Sequence, residues 1–336
     1  MTLDFNRSIS SNSIITAIGS YVPEKKLTNE DLEKMVDTSD DWILQRTGIS
    51  ERRVAAEHEF TSDLAISAVK NMMESYGCQI NDVDYIIVAT STPDTIFPSV
   101  AARVQAIFAI QNCGAIDISA ACAGFTAGLQ LANGLILSGA YRKILVIGAE
   151  TLTKITDYTD RTTCILFGDG AGVVLLERAE DGKGSLLASY SSTDGNGGHH
   201  VYLSHLSDAI GCHSISSKGK LVQNGREVYR WAVSQVAEGV TDLLARSGLT
   251  VEELDWFVPH NANQRIISAI CERIGFQEEK ALSSIAHYGN TSAASIPLAL
   301  HDAVREGKIK AGHTMLLHGF GAGLTQAGVV LRWHLA

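Results

Sequence analysis

Apolar residues along this chain follow two alternating rhythms. Short unbroken runs such as Tyr85-Ile-Ile-Val-Ala89, Ile144-Leu-Val-Ile147 and Trp256-Phe-Val-Pro259 have the length and β-branched content of buried strands. Between them lie longer stretches whose apolar residues recur three and four apart, among them Leu129-Gln-Leu-Ala-Asn-Gly-Leu-Ile-Leu137 and Arg265-Ile-Ile-Ser-Ala-Ile-Cys271. That is the spacing of a helix with one apolar face. Strands alternating with helices predict βαβ units and a largely parallel sheet covered by helices, an α/β fold.

The pattern occurs twice. Asp82-Val-Asp-Tyr-Ile-Ile-Val-Ala-Thr90 is echoed by Glu253-Leu-Asp-Trp-Phe-Val-Pro-His260: acidic, apolar, Asp, aromatic, then a buried run. The helix ending at Gly139 and its following strand correspond to the helix ending at Gly307 and the run Thr314-Met-Leu-Leu317, the two glycines standing 168 positions apart. Each half then reads as closing on a glycine turn between strands, in 167–177 and 320–331. Three echoes in order indicate a duplication, with halves 1–180 and 181–336. At the 168-residue offset Cys122 pairs with Asn290. A pseudo-twofold axis would then bring two helix starts together around one site built from both halves.

Composition bounds the class. With 336 residues, 45% apolar and 19% charged, the chain is long enough for about two packed domains. The first fifteen residues lack the charged start and apolar run of a secretory leader, and every apolar run is far below the ~20 residues of a membrane span. Six cysteines without a CxxC pair give neither a zinc ribbon nor a disulfide framework. The expectation is a soluble cytoplasmic protein with reduced thiols. A net charge of −10 argues against non-specific nucleic-acid binding. An acidic partner would need a local basic patch, which bulk charge does not forbid.

Cys122 closes the alternating run Ala115-Ile-Asp-Ile-Ser-Ala-Ala-Cys122 and opens a helical pattern. A thiol at a helix N-terminus is biased toward thiolate by ~0.3–1 kcal/mol, up to about 2 when partly buried. Small neighbours leave room for a substrate carbonyl. The same stretch equally fits a buried structural cysteine. His260, at a strand-to-helix junction, and Asn290, in a small-residue turn, tip the balance toward a site, because α/β proteins place ligands at such junctions. Cys, His and Asn suit acyl transfer, yet a cysteine hydrolase uses the same set. The role of Asn290 discriminates: in a hydrolase its amide orients the histidine, whereas in a condensing enzyme both donate to one substrate oxygen.

Four motifs together resemble the β-ketoacyl-acyl-carrier-protein synthase III family of the thiolase superfamily: Asp37-Thr-Ser-Asp-Asp-Trp-Ile-Leu-Gln-Arg-Thr-Gly48, Ala120-Ala-Cys-Ala-Gly-Phe125, Val258-Pro-His-Asn-Ala-Asn263 and His287-Tyr-Gly-Asn-Thr-Ser292. The resemblance runs from about Ile15 to Trp333 and implies a thiolase-like fold, two α/β halves in five layers, α-β-α-β-α. It implies that Cys122 takes the acyl group of a short acyl-CoA, that malonyl-acyl-carrier protein is decarboxylated to an enolate, and that His260 and Asn290 hold the enolate oxygen. The backbone amides of Cys122 and Ala322 would form a second oxyanion hole, although the family usually has glycine where Ala322 stands.

By the same resemblance Trp42, Arg46 and Arg161 hold the adenine of CoA, and Thr38 and Asn263 lie near its pantetheine arm. Phe97, Leu152 and Phe167 line the acyl pocket, Phe97 from across a homodimer interface. Arg265, with Arg230 and Arg273, docks the acidic carrier protein, while Glu272 departs from the basic pair sometimes found there. The overall similarity leans toward enzymes that accept branched as well as straight short acyl-CoAs. No cofactor or metal is implied, and four histidines between His199 and His213 read as a loop rather than a metal site. The competing readings are a secondary-metabolism acyltransferase or condensing enzyme on the same fold, a cysteine hydrolase, and a silent scaffold.

Overall fold

A computed structural model describes residues 9–216 and 219–335, so part of the stretch that argues against a leader lies outside the described residues. Nine strands build two sheets. In the first, β1 (Ser13–Tyr21), β2 (Tyr85–Ala89), β3 (Gly114–Ile118), β4 (Lys143–Thr151) and β5 (Asp169–Arg178) lie in the order β1-β5-β4-β2-β3. In the second, β6 (Leu186–Thr193), β7 (Trp256–Pro259), β8 (Thr314–Gly321) and β9 (Thr325–Arg332) lie in the order β7-β8-β9-β6. Read from β6, the second sheet repeats the first as far as β7. The counterpart of β3 is reduced to one parallel bridge between Phe257 and Ala281.

The sheets are mixed rather than largely parallel. β2 runs parallel to β3 and β4, and β7 to β8, but β5 and β9 are antiparallel to both their neighbours. Residues 322–324 are too few for the crossover that a parallel β8–β9 pair would need. The sequence expectation also misplaced one glycine turn. Residues 169–177 lie inside β5 rather than between strands. Gly172 is there because a Cβ would come within 2.6 Å of Pro297 Cβ.

Alternation along the strands explains the layering. Ile86 and Val88 join an outer core with Leu64, Ala68 and Met72 of α2 (Thr61–Tyr76) and Val104 of α3 (Val100–Ile107), whereas Ile87 joins a middle core with Phe125 and Leu129. In the second sheet Leu316 and Phe320 face α6 (Ala237–Ser247) and α7 (Gln264–Ile274), while Met315 and Leu317 face the middle. That middle core is shared by α4 (Gly124–Leu137) and α8 (Ser295–Arg305). Five layers result, and the middle one holds the site. Two shorter helices, α1 (Asp40–Thr47) and α5 (Gly225–Trp231), stand at its mouth.

Candidate active site

Both middle helices begin with a one-turn 3₁₀ segment, Ala121–Ala123 before α4 and Ser292–Ala294 before α8. In each, the first residue is left-handed without being glycine: φ is +45° at Ala121 and +49° at Ser292. Few non-glycine residues adopt that region, so matching values mark matching positions. The structural correspondence is therefore Ala121 with Ser292 and Cys122 with Ala293. This corrects the pairing of Cys122 with Asn290. The 168-residue offset held only at the helix C-termini, because α8 has 11 residues and α4 has 14.

The halves clasp each other through these turns. A Cβ on Gly148 of β4 would sit 2.3 Å from Ala293 O, and one on Gly319 of β8 would sit 2.8 Å from Cys122 O and Ala123 Cα. Each sheet thus presses a bare backbone against the other half's turn. A cavity of about 1370 Å³ opens beside this contact, lined by Cys122, His260 and Asn290 together with Phe320, Gly321 and Ala322.

Cys122 is half-buried under β8, where a Cβ on Gly321 would lie 3.1 Å from its Sγ. Desolvation pushes its thiol up to about 12, only partly offset by a hydrogen bond with the Ser292 side chain. The sequence expectation of a thiolate favoured by the helix start is thereby corrected. A rise from 9 to about 12 corresponds to ~4 kcal/mol, more than the ~2 kcal/mol that a helix terminus supplies at best. The resting nucleophile is a thiol and needs a proton acceptor.

His260 leaves the end of β7 with its backbone N–H bonded to His318 O, and the residue is 1% exposed. Burial holds the imidazole down at about 3, so it is neutral at physiological pH. Its Nδ1 lies 2.8 Å from Ser295 Oγ, which accepts the Asn261 N–H. Ser295 is thus placed to donate to Nδ1, the arrangement that leaves the ring proton on Nε2. Asn290 is fixed through its backbone, with N–H to Leu166 O and O from Gly168 N–H, and through its Oδ1, which accepts the Ser292 N–H at 2.9 Å. Its amide NH₂ makes only a long 3.5 Å contact with Ala262 O. Ser295, and not Asn290, hydrogen-bonds His260 Nδ1, and the ring also hydrogen-bonds the Ser292 backbone.

Toward the mouth, the guanidinium groups of Arg46 and Arg161 lie 5.5 and 5.1 Å from the centre of the Trp42 ring. Trp42, Arg46 and Asn263 line the cavity, and Asn263 Nδ2 donates to Arg46 O at 3.0 Å. Thr38 is not among the lining residues, and its buried Oγ1 has no partner. Leu152 and Phe167 line the inner wall. Phe97 does not reach the cavity of its own chain and is 83% exposed.

Arg265 and Arg230 stand at the rim; Arg265 lies over the Tyr229 ring and Arg230 pairs with Glu227. Arg273, two turns further along α7, lies beside Glu238 at 4.0 Å and does not line the cavity. The stretch 199–213 forms short ladders, and the His199 ring stacks at 3.6 Å on His213. Sequence reasoning missed three residues here. Arg226 joins the basic rim. Ser295 gave no signal. Glu150 gave one, an acid at the end of an otherwise apolar strand.

Comparisons with known proteins show what the chain as a whole is similar to. The family described as 3-oxoacyl-(acyl-carrier-protein) synthase III matches residues 116–195, and its C-terminal counterpart matches 244–333. A β-ketoacyl-(acyl-carrier-protein) synthase III of Bacillus subtilis is 56% identical over 96% of this chain and 99% of its own. The crystal structure of the synthase III from Thermus thermophilus superposes with a TM-score of 0.92 at 44% identity, covering 96% of this chain and all of that one. The priming β-ketosynthase of the R1128 polyketide pathway superposes at 0.89 with 32% identity, over 99% of each chain.

Proposed function

Because the chain belongs to the 3-oxoacyl-(acyl-carrier-protein) synthase III family, we propose a division of labour for it as the initiating condensing enzyme of fatty-acid synthesis. Cys122 attacks the thioester of a short acyl-CoA and keeps the acyl group. The tetrahedral oxyanion is held by the backbone amides of Cys122 and Ala322; Gly321, packed on the sulfur, brings that hairpin alongside it. Malonyl-acyl-carrier protein then loses CO₂, and the resulting enolate carbon attacks the acyl-cysteine. His260 and Asn290 donate to the enolate oxygen during decarboxylation.

The observation that carries this reading is the orientation of the two donors. Asn290 does not hydrogen-bond His260; Ser295 does, and the amide NH₂ of Asn290 is left for a ligand. Two neutral donors on one cavity wall suit a developing oxyanion, where losing one typically costs ~10²–10³ in rate. A cysteine hydrolase would need the amide on the histidine.

Trp42 with Arg46 and Arg161 is our adenine platform, and Asn263 our pantetheine contact, with Thr38 nearby. Arg265, Arg230 and Arg226 form the docking rim for the acidic carrier protein, with Arg273 at its periphery. We read the cytoplasmic enzyme, with halves 1–180 and 181–336, as a homodimer. The free edge of β3 with half-exposed Ile116, beside exposed Ile96 and Phe97, supports that reading, since exposed apolar edges call for cover. Phe97 would then complete the partner's acyl pocket next to Leu152 and Phe167. The residues named carry the whole reaction, with acyl-CoA as substrate and no further cofactor or metal required.

The experiment is intact-protein mass spectrometry after incubation with acetyl-CoA or isobutyryl-CoA, followed by malonyl-acyl-carrier protein. An adduct on Cys122 that is discharged into 3-oxoacyl-carrier protein is expected. Discharge to water or to a different acceptor would favour the hydrolase or the secondary-metabolism reading.

A further inference from the structure

A carboxylate lies buried behind the nucleophile, and nothing above uses it. We propose that Glu150, acting through the Ser292 hydroxyl, takes the Cys122 proton during acylation, keeps it while the sulfur carries the acyl group, and returns it when condensation frees the sulfur. This rests on Cys122 being the acylated nucleophile.

Geometry carries the inference. Glu150 closes β4 and is fully buried. Its carboxylate accepts Thr92 Oγ1 at 2.6 Å, Thr90 Oγ1 at 3.3 Å and the Ser91 N–H at 3.0 and 3.1 Å. The turn that starts at Ser292 packs against both β4 and the Cys122 turn, which puts its hydroxyl between acid and thiol, where it favours the ionised form of each. Among the described residues no lysine or arginine is one of the partners of Glu150. An acid buried only to hold the fold together is normally paired with a cation, because desolvating a lone carboxylate is costly. Neutral donors alone let Glu150 exist in either protonation state.

The proton balance closes over the cycle. As Cys122 Sγ bonds to the thioester carbon, its hydrogen passes to Ser292 Oγ and the Ser292 hydrogen passes to Glu150; the C–S bond to CoA breaks and the leaving thiolate takes a proton from solvent. In the second half the enolate carbon displaces Sγ as thiolate, and the same two hydrogens move back. Burial raises Glu150 to about 7, which makes its carboxylate a stronger proton acceptor than one in water; the thiol, raised to about 12, is the weaker acid and gives up its proton only as Sγ bonds to the thioester carbon. His260, held at about 3, is a poor acceptor. The other titratable groups on packed elements are already engaged: Asp94 with Ser62 and Arg103, and Asp169 with Thr153 and the Ala55 N–H.

The test is single-turnover acylation of Cys122 from acetyl-CoA, followed by quenched mass spectrometry across neutral pH. In the wild type the rate should rise with pH through an inflection near 7, as Glu150 becomes a base. Glu150→Gln should acylate ~10²–10⁴-fold more slowly, the usual contribution of a proton acceptor, without that inflection and with unchanged half-saturating acetyl-CoA. Glu150→Asp should keep the inflection with a smaller loss. Ser292→Ala should reproduce the glutamine variant, and it decides alone if Glu150→Gln does not fold. Either variant retaining both rate and inflection overturns the relay. A wild type that does not acylate on Cys122 would instead sink the functional reading itself.

Discussion

The turn before α4 and the turn before α8 share a backbone and differ in chemistry. Both start on a left-handed non-glycine residue, both run through three residues of 3₁₀ helix, and both are pressed by a glycine from the other half's sheet. One carries a thiol where the other carries Ala293. The strands behind them diverge in the same way: Gly321 leaves space over Cys122, whereas the corresponding position on β4 is Glu150. A fold that needs two identical clasps can spend only one on the nucleophile. The other is free to supply Ser292, the Asn290 anchor and a buried acid, so the two turns serve one sulfur from opposite sides.

Cys122→Ser gives the largest effect expected of this comparison. The acyl-enzyme should disappear entirely from intact mass spectra, while the unfolding midpoint stays near wild type, since the clasp is made by backbone. Next come Gly148→Ala and Gly319→Ala, which place a methyl into the other half's turn at 2.3 and 2.8 Å. If the clasps are equivalent, each loses about 1–3 kcal/mol in urea unfolding, the usual cost of overpacking. Only the second displaces Cys122 directly, so it should lose more acylation rate than its mirror; equal loss would break the assignment of roles.

The last effect is thermodynamic and leaves the acylation comparison untouched. Folding raises Glu150 from 4.5 to about 7, so between these values the native state binds more protons than the unfolded state and stability falls as pH rises. A shift of that size is worth roughly 3 kcal/mol. Glu150→Gln removes the penalty. Its stability relative to wild type should therefore increase by up to that amount between acid pH and pH above 7, in matched denaturant titrations.

Much of the fold is legible in the sequence. Buried runs and helical periodicities mark the central strands and their covering helices because those strands are covered on both faces, and small residues around Cys122 mark a place where backbone is closely approached. Other features were hidden for physical reasons. A three-residue difference in helix length shifted the apparent offset, so Cys122 was matched to Asn290 rather than Ala293. Thiol acidity depends on how completely β8 covers the sulfur, which local sequence does not record; desolvation there outweighs the helix terminus. Ser295 orients His260 from 35 residues away in sequence, and no motif encodes that contact. Glu150 was visible as an acid in an apolar strand, but its link to Cys122 runs through a turn from the other half.

The central claim is that one cavity divides its labour between the two turns, acylation at Cys122 and enolate stabilisation at Asn290 with His260. It is tested most directly by measuring both half-reactions in Asn290→Ala: burst acylation from acetyl-CoA, and ¹⁴CO₂ release from labelled malonyl-acyl-carrier protein by the preformed acyl-enzyme. Acylation close to wild type with decarboxylation slowed ~10²–10³-fold is the predicted result. Equal loss in both steps would contradict it and make Asn290 a structural support for the nucleophile.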